Sequence, residues 1–243
     1  MAHSDKQRII LIDLLRGIAI ALMFIYHFSF DLDYFGYVRF HFSSDPFWLN
    51  FRALIVSLFL GVVGFSLYLA HHAGWHRQAW LKRLGMLVLA ASAVSAGSYL
   101  MYPKSFIFFG ILHFIALASV LGILFIRLGY VNLLLGAIIL LVGNHYRHPF
   151  FDQAAMQWVG MMTEKPITED YVPLFPWFGM VLVGIGLAHW SQNNQTLSRL
   201  LHWQNQSRPV STLCFAGRHS LLIYLLHQPI FLGVLYGFTQ VTR

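Results

Sequence analysis

The chain has 243 residues, 58% of them hydrophobic and only 10% charged, with a formal charge of +7; a soluble domain is about 25% charged. These proportions exclude an ordinary soluble domain, and apolar runs this continuous exclude barrel strands, which alternate. The single cysteine, Cys214, excludes an intramolecular disulfide and a Cys-based metal site.

The composition therefore predicts an all-α, polytopic transmembrane helical bundle, because a chain that crosses lipid must satisfy its backbone internally. Seven spans are expected, at 8–29, 50–70, 84–102, 105–126, 130–145, 172–190 and 219–239, in one domain covering 1–243. With the N-terminus cytoplasmic, the inner segments hold Lys6, Arg8, Arg77, Lys82, Arg83, Arg127, Arg199, Arg208 and Arg218 against a single acid, Asp5. The outer segments mix Arg39, Arg52, Lys104, Arg147, Lys165 and Arg243 with seven acids. That asymmetry follows the positive-inside rule and explains the basic charge without nucleic acid.

The first span resembles a signal peptide in its basic flank, but its length and its interior Arg16 mark a retained helix. It carries Asp13, Arg16 and His27, and ionisable groups at membrane depth are functional candidates by default. Asp13 and Arg16 are three residues apart and can pair. Arg16 and His27 are separated by close to three helical turns, so they share one face about 16 Å apart. Arg16 suits an anion entering from the cytoplasm, a phosphate or a carboxylate. His27 suits a general base, with Asp31 one turn further along to orient it. The outer loop 30–49 contains His41 and the turn signal Ser43-Ser44-Asp45-Pro46. In the second span, Ser57, Gly61, Gly64 and Ser66 are small enough for close helix packing, and Arg52 at its outer mouth can meet an acidic substrate. His71, His72 and His76 adjoin a basic loop and read as a solvated face. No other histidine grouping suggests a metal, so none is expected.

His113, in the fourth span, lies about 12 Å from its outer end by helical rise and is a candidate lining residue. The outer loop 146–171 leads into Asp170, Tyr171, Pro173 and Pro176. The prolines suit a helix start, and Asp170 suits its positive end. The inner loop 191–218 is polar, with an interfacial amphipathic helix expected from Leu197 to Trp203. In the last span Pro229 cannot bond the Leu225 carbonyl, which predicts a kink beside His227 and Gln228. Those two side chains can line a cavity or a pathway.

Several of these segments also carry a family resemblance. Ile12-Asp13-Leu14-Leu15-Arg16-Gly17, then Leu22-Met23 and His27, resembles the first helix of acyltransferase-3 proteins with their Arg-x10-His pattern. FRALIVSLFLGVVGFSLYLAH, FIFFGILHFIALASVLG, DYVPLFPWFG and GRHSLLIYLLHQP resemble a bacterial membrane family related to the catalytic domain of heparan-alpha-glucosaminide N-acetyltransferase. The resemblance implies transfer of an acyl group, usually acetyl, from cytoplasmic acyl-CoA to a hydroxyl or amine outside a bacterial cytoplasmic membrane; a glycan is one such acceptor.

Carried onto this sequence, the resemblance gives His27 the transfer role and Arg16 the place of the motif arginine; Asp31 joins His27 by its spacing alone. The lysosomal enzyme has Asn at the place of His27 and uses a later histidine, whose nearest match is His41. Around these, His227 and Gln228 are expected to help bind the cofactor, and Arg52, His113, Asp170 and Tyr171 the substrate. The expected partners are the bilayer, acyl-CoA and the acceptor, and an oligomer is compatible with them. A transporter or flippase using Arg16, His113, His227 and Gln228 along a polar route is the alternative.

Overall fold

A computed structural model describes residues 9–205 and 207–242. The flanking charges Asp5, Lys6, Arg8 and Arg243, and the start of the first expected span, lie outside them. Among the described residues the chain forms α1 (Ile10–Tyr34), α2 (Pro46–His72), α3 (Arg77–Met101), α4 (Ile111–Phe125), α5 (Val131–His145), α6 (Leu174–Asn193), α7 (Gln195–Leu201), α8 (Arg208–Arg218) and α9 (Ser220–Thr242). Six helical segments are long and apolar enough to cross a membrane, and α5 is a shorter apolar helix of 15 residues. The helical, membrane-spanning architecture is therefore the expected one, with about seven spans.

Helix ends decide where polar residues fall. α1 runs five residues beyond the expected boundary, to a C-terminal turn closed by Gly36 at φ +76°. There the Gly36 N–H bonds the Asp33 carbonyl and the Tyr37 N–H bonds the Leu32 carbonyl, the pattern that a left-handed glycine permits. The extension brings Asp31 into the helix, one turn past His27. α4 ends in a 3₁₀ turn before Gly129, at φ +54°. The fully buried Asn132 amide donates to the carbonyls of Phe125 and Gly129 at 2.9 and 3.1 Å, supplying donors that the turn lacks.

The inner loop corrects one expectation. α7 occupies most of the anticipated amphipathic segment, but 208–218 is also helical. α8 is amphipathic, turning Val210, Leu213, Cys214 and Gly217 inward at i, i+3, i+4 and i+7, with Ser211 and Thr212 exposed.

The chain divides into two compact units, Met1–Phe59 with Asn194–Arg243, and Leu60–Asn193; α2 contributes to both. In the first, α8 lies against α1 backbone to backbone. A Cβ at Gly17 would overlap the Leu213 carbonyl, and one at Gly217 would overlap the Asp13 carbonyl. Ile20, Met23 and Ile55 form a core there, packed by Tyr26, Phe51, Ile223 and Tyr224. α9 runs alongside α1, joined by Phe28–Phe231 and Tyr37–Phe238 ring contacts and a Tyr37–Thr239 hydroxyl bond of 2.9 Å. In the second unit, small residues again set the spacing. A Cβ at Gly64 would meet the Val181 carbonyl, and Gly136 and Gly179 face each other between α5 and α6. Large apolar side chains stay exposed on the helix flanks, among them Leu89, Leu100, Leu134 and Val234. A bilayer accounts for such a surface, which a soluble monomer rarely shows.

Candidate active site in the first unit

The first unit gathers four of the expected site residues, and α1 and α9 position them. His27 and Asp31 are one turn apart on α1, so they point the same way. His227 and Gln228 stand just before Pro229 on α9. The His27 and His227 rings meet edge to face, with centroids 5.0 Å apart. Gln228 Nε2 donates to Asp31 Oδ1 at 2.7 Å, joining positions 197 residues apart in sequence. The carboxylate thus engages Gln228, whereas the sequence paired it with His27.

His227 has a defined orientation. Its Nδ1 lies 2.6 Å from the Tyr224 carbonyl, which can only accept, so Nδ1 carries the proton and Nε2 presents a lone pair. Phe24 stacks on the ring at 5.8 Å and Phe231 meets it edge-on at 5.9 Å. His227 Nε2, Asp31 Oδ2 and Gln228 Oε1 are all buried without a hydrogen-bond partner. Asp31 is 1% exposed and His227 6%. Buried polar atoms are nearly always paired, so these three are unfilled hydrogen-bonding positions on neighbouring residues of the cluster.

The remaining first-unit candidates stand apart from this patch. Arg16 pairs with Asp13 at 3.2 Å, nearer the start of α1. The Arg52 guanidinium lies near enough to the Tyr26 hydroxyl to act on it electrostatically. His41 is exposed in a loop held down by its neighbours, with Phe42 packed on Trp48 at 4.4 Å. Its backbone carbonyl accepts from Ser44 and Asp45 N–H. The structure thus joins His27, Asp31, His227 and Gln228 directly; it does not join His41 to them.

In the second unit, His113, Asp170 and Tyr171 have local partners. The Gly110 N–H donates to His113 Nδ1 at 3.3 Å, so Nε2 holds the ring proton. Ser95 spends its own hydrogen on the Ile107 carbonyl, so its Oγ accepts from His113 Nε2 at 3.1 Å. Both ring nitrogens are used. Asp170 Oδ2 accepts the first free N–H of α4, from Ile111, at 2.8 Å. It caps a helix whose own N-cap residue, Gly110, has no side chain. The Tyr171 hydroxyl donates to the Gln157 carbonyl at 2.6 Å. Burial holds that phenol well above its ordinary pKa, although the Arg147 charge pulls it down, so it stays a neutral donor.

A family model described as "Heparan-alpha-glucosaminide N-acetyltransferase, catalytic" matches residues 8–229. The chain belongs to that family. The match begins before α1 and ends at Pro229, so it includes both helices that carry the cluster. No curated protein and no solved structure matches the chain. Membership makes this an integral membrane protein of an acetyltransferase-type family. Sequence reasoning had singled out each member of the cluster, but not the Gln228–Asp31 bond. It had also missed the Asp170 cap on α4, for which the Gly110-to-His113 spacing of a helix start was the available signal.

Proposed function

We propose that the protein transfers an acetyl group from acyl-CoA on the cytoplasmic side of a bacterial cytoplasmic membrane to a hydroxyl or amine, of a glycan for example, on the other side. The observation that carries this reading is the α1–α9 cluster, in which two imidazoles touch beside unpaired acceptor atoms within a span of an acetyltransferase-family chain. The positive-inside charge pattern puts the start of α1 on the CoA side. Arg16, held by Asp13, then faces the donor, and His27 stands about three turns further towards the acceptor.

His27 acts as the general base and removes the proton of the attacking heteroatom, a contribution of about 10²–10⁴-fold. Arg52, at the outer start of α2, meets the acceptor. The oxyanion of the tetrahedral intermediate needs a hydrogen-bond donor; His113 spends its only ring proton on Ser95, so helix-end N–H groups are the better source.

Reconstituted protein tests the reading. With labelled acetyl-CoA on one side of a proteoliposome and methyl α-glucosaminide on the other, labelled product and free CoA thiol appear in equal amounts. Movement of sugar across the membrane without thiol release would refute acetyl transfer and favour the transport alternative.

A further inference from the structure

The second unit contains a cleft that the acetyl-transfer reading does not use. Leu67 of α2, Leu84 and Leu87 of α3 and Ser119 of α4 line it, together with Trp80 and Arg83 of α3. Its charge is unbalanced. The stretch 46–151, which includes α2 to α5, contains no Asp or Glu, and neither does 171–243. The acids of this unit, Asp152, Glu164, Glu169 and Asp170, all lie in the loop 146–171. Asp170 is tied to the start of α4 at Ile111, and about 12 Å of helix separates Ile111 from Ser119. No carboxylate of the unit therefore stands ready to neutralise Arg83.

The polar groups of the cleft match that charge. Trp80 Nε1 is buried and has no hydrogen-bond partner among the described residues. An indole N–H and a guanidinium can only donate. Ser119 spends its own hydroxyl hydrogen on the Ile115 carbonyl at 2.6 Å. Trp80 and Arg83 thus offer donors and a positive charge beside the apolar side chains of Leu67, Leu84 and Leu87. A phosphate monoanion supplies the missing acceptors and the missing charge.

Position selects the source of that phosphate. Trp80 and Arg83 are both within the first two turns of α3, where a spanning helix meets the headgroup layer. The same helix exposes Leu81, Met86 and Leu89, so the bilayer reaches its flank. Arg77, Lys82 and Arg127 add charge at that end, which attracts anionic headgroups. A zwitterionic lipid brings an ammonium of its own, for which this end has no acid.

We propose that Trp80 and Arg83 bind the headgroup phosphate of one anionic phospholipid, with an acyl chain lying along Leu67, Leu84 and Leu87. The site shares no residue with the α1–α9 cluster, so the proposal does not depend on the acetyl-transfer reading.

Lipid titration tests it. Purified full-length protein in neutral detergent receives phosphatidylglycerol, phosphatidylcholine, inorganic phosphate or CoA, and the thermal midpoint is followed. Phosphatidylglycerol raises the midpoint saturably, and phosphatidylcholine and inorganic phosphate do not. Arg83→Gln raises the phosphatidylglycerol concentration for half the shift about tenfold or more. Trp80→Phe, which keeps an aromatic ring and removes the N–H, raises it about fivefold. Lys82 is exposed beside Arg83 but does not line the cleft, so Lys82→Gln changes it less than about twofold. Any shift produced by CoA is the same in all three variants.

Equal losses in Lys82→Gln and Arg83→Gln would reduce the effect to diffuse surface charge and refute the site. A phosphatidylcholine shift as large as that of phosphatidylglycerol, or no phosphatidylglycerol shift at all, would refute it too. A shift from inorganic phosphate or CoA that is lost in Arg83→Gln would assign the cleft to a soluble phosphate and overturn the lipid. Should Arg83→Gln fail to fold, Trp80→Phe decides, and unchanged phosphatidylglycerol affinity in that variant refutes the proposal.

Discussion

Replacing Asp31 by Asn should make the unliganded protein more stable. Asp31 is 1% exposed, and its Oδ1 accepts from Gln228 at 2.7 Å while Oδ2 has no partner. The substitution keeps an acceptor for Gln228 and exchanges a charge-assisted bond for a neutral one, a loss of about 1 kcal/mol. It also replaces the unpartnered Oδ2 of a buried carboxyl by part of a neutral amide, which is less costly to keep out of water, a gain of about 2–3 kcal/mol. The net expectation is a stabilisation of about 1–2 kcal/mol, read as a rise of a few degrees in the thermal midpoint in detergent at neutral pH. Such a gain, with activity lost, is the usual mark of a site strained for function. A destabilisation of about 1 kcal/mol or more would show that Oδ2 is already satisfied in the folded protein.

Three further outcomes follow from the packing and the loops. Gly217→Ala drives a methyl into the Asp13 carbonyl and should lower stability by about 1–3 kcal/mol, with Gly17→Ala behaving alike; thermal unfolding unchanged by both would contradict the backbone contact of α1 and α8. Asp170→Ala removes the cap on α4 and should lower stability by about 0.5–2 kcal/mol without changing the KM for the acceptor. The Thr163 hydroxyl bond to Asp152 holds that exposed carboxyl below its ordinary pKa. Its contribution is therefore present above the unfolded value of about 3.9 and lost as pH falls through the lower folded value; Thr163→Val should raise the pH at which limited proteolysis opens loop 146–171, and an unshifted profile would refute the link.

The membrane spans were legible because an apolar run as long as the bilayer is thick rarely does anything but cross it. α8 was not, since Arg208, Ser211, Thr212 and Arg218 give its segment the polarity of a loop. Its apolar stripe gains meaning only when Gly217 meets α1. The α1 boundary was readable in principle from Gly36, whose left-handed backbone ends the helix after Asp31. His27, Asp31, His227 and Gln228 each stood out as polar residues in apolar surroundings. The Gln228–Asp31 bond did not, because helical periodicity relates near neighbours and these two are 197 positions apart. His113 and Asp170 stood out for the same reason as the cluster, but the structure gives them local partners. A polar residue at depth can complete a helix end as well as a site.

The most direct test of the account is the rate of acetyl transfer in His27→Ala. With labelled acetyl-CoA and methyl α-glucosaminide in proteoliposomes, the turnover number should fall about 10²–10⁴-fold, with the folded yield and the KM for acetyl-CoA unchanged, while His41→Ala keeps its activity. Full activity in His27→Ala, or the same loss in His41→Ala alone, would contradict a reaction centred on the α1–α9 cluster.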